Sequence, residues 1–297
     1  MRAAAFIAAM HPTTPTRLIR YAKGVRTGEA DDELAAEVPL ELRVEGRSLA
    51  VLMRTPGHDR ELAAGWLLTE GVIKTARDLF DITACVAAGA AGKGNAVDVA
   101  LAHPGAVDFA KLTRHVFTSS SCGVCSTASI EAVLRQRKPL KDVFQIAART
   151  LLGLPVALAG QQPTFQTTGG LHACALFDRA GKLLALREDV GRHNALDKLI
   201  GWALLEKRTP LRGHAVLLSG RASFEMMQKA HAAGIAVVAA ISAPSSLAVE
   251  FARASGQTLA GFVRGGSMNV YAGAARIAGA EASRIRVRKR SSSPRTA

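Results

Sequence analysis

Apolar and polar positions alternate clearly from Val38. VPLELRV places an apolar side chain at every second position, Glu45-Gly46 supplies turn chemistry, and SLAVLMR returns, so residues 38–55 read as a β-hairpin. The period then lengthens. Asp59 stands where an N-cap is expected, Leu62, Ala63, Trp66 and Leu67 follow at helical spacing, and Gly71 stops the pattern. A weaker strand is predicted over 96–102, behind the Gly-rich AAGAAGKGN. Helical periods are read over about 129–136 and 142–152. From Gln166 the pattern becomes alternating β and α. Strand 172–177 turns through Arg179–Gly181 into strand 183–187, and helix 194–206 follows. Then come strand 214–219, helix 223–233, strand 235–241, helix 245–255 and a closing hairpin, 258–263 with 268–271. Such alternation predicts an α/β fold, a mixed β-sheet with helices on both faces, joined to a smaller N-terminal α+β part.

Division of the chain follows from the same pattern. Residues 1–33 show no period and read as a disordered basic tail. Residues 34–115 form the N-terminal subdomain, and 116–283 the α/β domain, opening on a Ser-rich loop at 116–127. The end, 284–297, closes in RKRSSSPRTA and reads as a second disordered basic tail. The 297 residues suit one large or two modest domains, and 48% hydrophobic with 21% charged is ordinary for a globular protein. No apolar run is long enough to span a bilayer, and a cytoplasmic location is expected.

A net charge of +14 could point to nucleic acid, so its location matters. Residues 1–27 hold five basic side chains and no acid, and residues 284–297 hold six and no acid. The body between them is therefore close to neutral. Aromatic residues are only 5%, too few to interleave a basic face, so nucleic-acid binding is not expected.

Four cysteines are too few for a disulfide framework in a chain of this length. Cys122-Gly-Val-Cys125 is the sharpest local feature, flanked by Ser119, Ser120, Ser121 and Ser126. Such a pair suits half of a zinc site, a redox couple, or nucleophilic sulfur chemistry in which a thiolate takes up sulfur as a persulfide. A zinc site would need further ligands, and no second CxxC or HxxxH is present. A redox couple usually opens a helix after a strand, whereas this pair follows a Ser run. The plain alternative is two cysteines serving merely as small residues. Cys85 and Cys174 read as buried small residues in or near strands.

Three strand-to-helix junctions form the second constellation: Glu188–Asn194 with Arg192 and His193, Gly220–Ser223 with Arg221, and Pro244–Ser246 with Ser245. In an α/β sheet such loops gather at the strands' C-terminal ends, where helix N-termini and arginines hold phosphate. The hairpin segment Phe262-Val263-Arg264-Gly265-Gly266-Ser267 adds an arginine beside two glycines. Neither GxxxxGK[ST] nor GxGxxG occurs, and GxSxG is absent as well. His172 and His193 could assist proton transfer or contact a ligand base. Asp178 reads as a turn residue and Asp197 as a helix-surface charge.

EVPLELRVEG, TPGHDRELAAGWLLTEG, SSCGVC, TGGLHACALFD, EDVGRHNALDKLIG, SGRASFEMMQKA, APSSLAVEFA and TLAGFVRGGSMNVY together resemble the formate dehydrogenase accessory sulfurtransferase family, the sulfur carriers known as FdhD. The resemblance runs from about Val38 to Tyr271. It implies that Cys122 bears a persulfide received from a cysteine desulfurase, with Cys125 as relay or partner thiol. The sulfur would pass to molybdenum in a bis(molybdopterin guanine dinucleotide) cofactor, bound as substrate, before its insertion into the formate dehydrogenase apoprotein. It further implies contact of Phe262–Ser267 with that cofactor, a cytidine-deaminase-like main domain, a homodimer, and no permanently bound metal. Arg192, His193, Arg221 and Ser245 are the expected partners of the cofactor's phosphates and rings. The rival is a zinc-stabilised cofactor-binding chaperone that moves no sulfur.

Overall fold

A computed structural model describes residues 11–85, 95–106 and 138–279. The Cys122/Cys125 pair, the helix predicted over 129–136 and the C-terminal tail lie outside the described residues.

Residues 13–33 of the expected unstructured tail instead form, with the two residues that follow, an antiparallel hairpin, β1 (Thr13–Ala22) and β2 (Val25–Ala35). Its turn is Lys23-Gly24, with φ of 50° and 82°, the pair of left-handed residues that a tight two-residue hairpin requires. Most of its side chains are exposed, which is why no hydrophobic period betrayed it. Backbone pairing and a cross-strand Arg17–Glu29 contact at 3.0 Å hold it instead.

The N-terminal sheet has the order β4-β3-β6-β5, built from β3 (Val38–Val44), β4 (Arg47–Arg54), β5 (Leu79–Cys85) and β6 (Ala96–Leu101). The β3–β4 turn uses Glu45 and Gly46, both at positive φ, as predicted. Helix α1 spans Asp59–Thr69. Asp59 is not its cap. His58, at φ 59°, holds that place, and the Asp59 carboxylate is taken by buried Arg54, with both bonds at 2.8 Å.

The main sheet has the order β13-β12-β11-β10-β8-β9. Its strands are β8 (His172–Phe177), β9 (Leu183–Asp189), β10 (Ala215–Leu218), β11 (Val237–Ala240), β12 (Thr258–Arg264) and β13 (Ser267–Ala272). A short parallel ladder, β7 (Ile146–Ala147) with β14 (Ile277–Ala278), lies apart from it. Within the main sheet β10, β11 and β12 pair in parallel, while β8 is antiparallel to both β9 and β10. Strands β9 through β12, β8 excepted, therefore end on one common rim.

Helices cover both faces, as the pattern predicted. Cys174, Leu176, Val216, Leu218, Val238 and Ala240 share a core with α1, α4 (Arg192–Leu205), α5 (Phe224–Ala232) and α6 (Ser246–Ala254). The alternate residues Ala175, Phe177, Ala215, Leu217, Val237 and Ala239 face α2 (Ala148–Leu158), through Leu151, Leu154 and Leu158. Burial on both faces explains why AVLL and VVAA are wholly apolar. Helix α2 starts later than the period over 142–152 suggested. Asp142 instead accepts from the N–H groups of Phe144 (2.9 Å) and Gly213 (3.1 Å), which holds a turn there.

The N-terminal part joins the main sheet through a helix crossing without side chains at its centre. A Cβ on Gly65 of α1 would fall 1.9 Å from the Asp197 carbonyl oxygen, and one on Gly201 of α4 would fall 1.7 Å from that of Glu61. Backbone meets backbone there. Leu62, Ala63 and Leu67 from one part and Leu196, Leu199 and Ala203 from the other consequently lie in one continuous core.

Candidate functional site

Every predicted junction falls on the common rim. β9 leads through Gly191 into α4, β10 leads to Ser223 before α5, and β11 leads to Ser245 before α6. Three contacts bind these junctions and the last hairpin together. His193 Nε2 lies 2.7 Å from Glu225 Oε2, which ties α4 to α5. Ala222 bridges to Pro244, and the Ser245 N–H donates to the Ala222 carbonyl at 3.0 Å. The Phe262 N–H donates to the Ser242 carbonyl at 3.1 Å, bringing in the base of the β12–β13 hairpin.

The side chains at the rim differ in availability. Arg221 and Arg264 are exposed, and the Arg264 guanidinium lies 5.5 Å from the Phe262 ring centroid. Arg192 Nε and Ser223 Oγ are buried, with no hydrogen-bond partner among the described residues. Donors left unmet at two adjacent helix starts fit an anionic ligand, since an unpaired buried polar group costs about 1–3 kcal/mol. Ser245 is partly committed: its Oγ accepts from the Ala248 N–H at 3.3 Å as the cap of α6.

Phe262–Ser267 is locally unusual. Phe262 sits at φ 53° within a strand, at a register shift, and Gly265 and Gly266 follow at 58° and 73°. A bulky residue in the left-handed region is strained, and such strain gathers at ligand sites. Val263 points into the core, so at that position only backbone is left to offer a ligand. Ser267 Oγ donates to the Arg264 carbonyl at 3.1 Å.

A cavity of about 530 Å³ opens at the same rim. It lies between Phe165, Gly169 and Gly170, at and just after the short helix α3 (Pro163–Thr168), and the strand-end residues His172, Ser219 and Ile241. Glu188 fixes α3 there by accepting from the N–H groups of Thr164 (3.2 Å) and Phe165 (2.8 Å). His172 is half-buried. That burial, and next the neighbouring Arg192 and His193, push its proton affinity below the ordinary imidazole value, so it is neutral at pH 7. His172 packs against Gly220, where an added Cβ would lie 3.1 Å from Nδ1.

Much of EDVGRHNALDK has an architectural role. Asp189 is fully buried and accepts from the N–H groups of Thr55 (3.1 Å) and Gly191 (2.8 Å) and from Asn194 Nδ2 (3.0 Å), and it pairs with Lys198 at 2.7 Å. Asp197 is not the surface charge the helix pattern suggested. It is buried, 2.9 Å from Lys229 Nζ, and accepts from Thr69 Oγ1 at 2.8 Å, because α5 and α1 cover that face of α4. Asp178 holds the β8–β9 turn as expected, accepting from Ala180 and Lys182. Residue spacing missed the cavity wall, and its one signal was Gly169-Gly170 just ahead of His172.

Cys174 is buried, and that burial, with the Asp197 and Asp189 charges, raises its thiol far above the ordinary range. Cys85, also expected to be buried, is instead partly exposed on the edge strand β5. Among the described residues no three His, Cys, Asp or Glu side chains converge as metal ligands, and no helix is long and apolar enough to cross a membrane.

Comparison with known proteins gives a consistent answer. A protein of Mycolicibacterium paratuberculosis named sulfur carrier protein FdhD is 51% identical over 250 residues, covering 83% of this chain and 92% of that protein. One of the same name from Streptomyces coelicolor is 49% identical over 271 residues, covering 90% of this chain and 96% of its own length. The crystal structure of a candidate formate dehydrogenase accessory protein from Desulfotalea psychrophila superposes with a TM-score of 0.71 at 25% identity, covering 90% of this chain and 100% of that one. The FdhD/NarQ family model matches residues 35–278, nearly the whole described body, and the chain belongs to that family.

Proposed function

We propose that this chain is a sulfur carrier serving formate dehydrogenase. It accepts sulfur from a cysteine desulfurase on the Cys122/Cys125 pair and delivers it to the molybdenum of a bis(molybdopterin guanine dinucleotide) substrate. The observation that carries the reading is identity of about half, along almost the full length, to proteins named as sulfur carriers.

The chemistry needs little acid–base assistance. The Cys122 thiolate attacks the outer sulfur of the donor's persulfide, the donor thiolate leaves, and Cys122 carries the S–SH group. Attack by the Cys125 thiolate on the inner sulfur then frees hydrosulfide and leaves a Cys122–Cys125 disulfide. The rim supports the substrate half of the reaction. Arg192, Arg221 and Arg264, with the starts of α4, α5 and α6, offer charge and N–H groups suited to several phosphates. Phe262–Ser267 offers a strained, glycine-rich backbone for close approach. Formate dehydrogenase apoprotein, a cysteine desulfurase and a second copy of the chain are the partners.

Intact-mass spectrometry after incubation with a cysteine desulfurase and cysteine tests the proposal. Wild type gains one reducible sulfur, and Cys122→Ala does not. Failure of the wild type to gain sulfur, with zinc retained instead, overturns the carrier reading and leaves a metal-stabilised cofactor-binding protein.

A further inference from the structure

Charge on the folded body is not spread evenly. At the end of the main sheet away from the rim, β8 finishes and β10, β11 and β12 begin, with Phe177 beside Ala215, Ala215 beside Val237 and Val237 beside Thr258. Three stretches gather there: residues 138–142, the β8–β9 turn at 178–182 and the α4–β10 loop at 206–212. They hold seven basic and three acidic side chains, in a body otherwise close to neutral. Lys138, Lys141, Arg179, Lys182, Lys207, Arg208 and Arg212 are all exposed. Two of the three acids are turned to nearby backbone. Asp142 accepts from the Phe144 and Gly213 N–H groups, and Asp178 from those of Ala180 and Lys182. The Gly213 contact also ties the first stretch to the third.

The helix dipole accounts for Lys207 and Arg208, which follow the C-terminus of α4. It gives no reason for the cations of the other two stretches. Beside them Trp202 is half-buried, with the guanidiniums of Arg208 and Arg187 at 5.2 and 5.9 Å from its ring centroid. Tryptophan and arginine are the side chains that most often anchor protein interfaces. Cations on three separate loops around an aromatic anchor match a broad acidic protein face, whereas a lone phosphate needs donors converging on one point. Position narrows the partner further. Lys138 is the first described residue after Cys125, and its carbonyl accepts from His231 Nε2 at 3.0 Å. The Leu140 N–H donates to the Ser255 carbonyl at 2.9 Å, just ahead of β12. The chain that carries the thiols therefore rejoins the body at this charged end.

We infer that this basic end of the sheet docks an acidic face of the sulfur donor, the cysteine desulfurase. The inference rests on the carrier reading and names the docking surface that reading leaves unassigned. A carrier must meet its donor and leave it repeatedly, and exposed charge speeds encounter without fixing the complex.

Purified full-length protein tests it. Sulfur uptake, read by intact mass with cysteine in excess, is followed against desulfurase concentration for wild type and Arg179→Glu/Arg212→Glu. Arg20→Glu/Arg26→Glu, on the exposed β1–β2 hairpin, is a control of equal charge change. Glutathione persulfide serves as a donor too small to need docking. The Arg179/Arg212 variant is expected to need on the order of tenfold more desulfurase for half-maximal rate. The control should need wild-type amounts, and glutathione persulfide should load all three equally. The wild-type requirement should rise as ionic strength passes about 0.1 M, where the Debye length is about 10 Å. An unchanged requirement in the Arg179/Arg212 variant overturns the inference, and so does an equal rise in the control, which is an effect of net charge alone. Duplex DNA bound by wild type and lost by that variant, with desulfurase dependence unchanged, overturns it in favour of nucleic acid. Slower loading of the variant by glutathione persulfide marks damage to the thiols, and Arg179→Gln/Arg212→Gln then decides by the same criterion. Wild type that takes sulfur from neither donor sinks the carrier. Wild type that loads from the desulfurase while these variants stay indifferent sinks the docking surface alone.

Discussion

Asp197 and Lys198 are neighbours in the chain but have different partners, Asp197 with Lys229 and Lys198 with Asp189. Burial alone would lower the Lys229 ammonium, but the carboxylates of Asp197 and Glu70 hold it above its ordinary value. Lys198 Nζ also donates to the Thr55 carbonyl at 2.7 Å, and so holds the approach to α1 against the β9–α4 junction. Lys198→Ala leaves Asp189 buried without its cation and is expected to lower the stability of the fold by about 3–5 kcal/mol, read from urea midpoints. Glu61 gives a pH signature. Burial alone would raise its carboxyl, but hydrogen bonds from Arg187 and His58 overcome this and lower it from 4.5 to about 2. A depressed carboxyl contributes stability that is fully present above about pH 4.5 and is lost as the pH falls toward 2. In Glu61→Gln the drop in urea midpoint between those pH values should be smaller than in wild type.

At the scale of elements, the Gly65–Gly201 crossing decides how the two sheets meet. Gly201→Ala places a methyl group against the rigid Glu61 backbone and should cost ~1–3 kcal/mol or more, because no flexible side chain can give way. Thermal unfolding of Gly201→Ala beside Gly153→Ala, where a Cβ meets nothing, isolates the effect of the crossing. From β8 onward the elements were legible within two or three residues, because their turns and caps are local chemistry: Asp178, Ser245 and the 265–266 turn all act within a few residues of themselves. The β1–β2 hairpin was not legible, since a ladder with little burial leaves no period to read. Asp197 failed for another reason. Its partner Thr69 is 128 residues away, and nothing within α4 announces that α1 will cover it.

Considered whole, the molecule gives its two described thiols, Cys85 and Cys174, unlike surroundings. Cys174 is sealed in the core beside two carboxylates, with its thiolate strongly disfavoured. Native-state alkylation at pH 8 should therefore spare Cys174, and peptide mapping should find it labelled only after unfolding. Labelling of Cys174 in the native state would mean that the β8–α4 packing opens. The candidate site was only half readable from the chain. Arg192, Arg221 and Ser245 could be placed at strand ends by pattern, but the cavity is shaped by α3, and α3 is held by Glu188 from a strand that follows it in the sequence.

The strand order has a consequence for synthesis. Once β8 and β9 have paired, β10 adds on the free side of β8 and each of β11 to β13 adds beside the strand before it, so this sheet can grow in the order in which the ribosome delivers it. Helix α1 has no such convenience. Leu62, Ala63 and Leu67 emerge more than a hundred residues before the α4 surface that buries them. At roughly 5–20 residues per second, the nascent chain therefore carries an uncovered greasy stripe for several seconds. The Gly65–Gly201 crossing thus makes the N-terminal half dependent on completion of the C-terminal half, and a chain truncated before α4 should be captured by holdase chaperones.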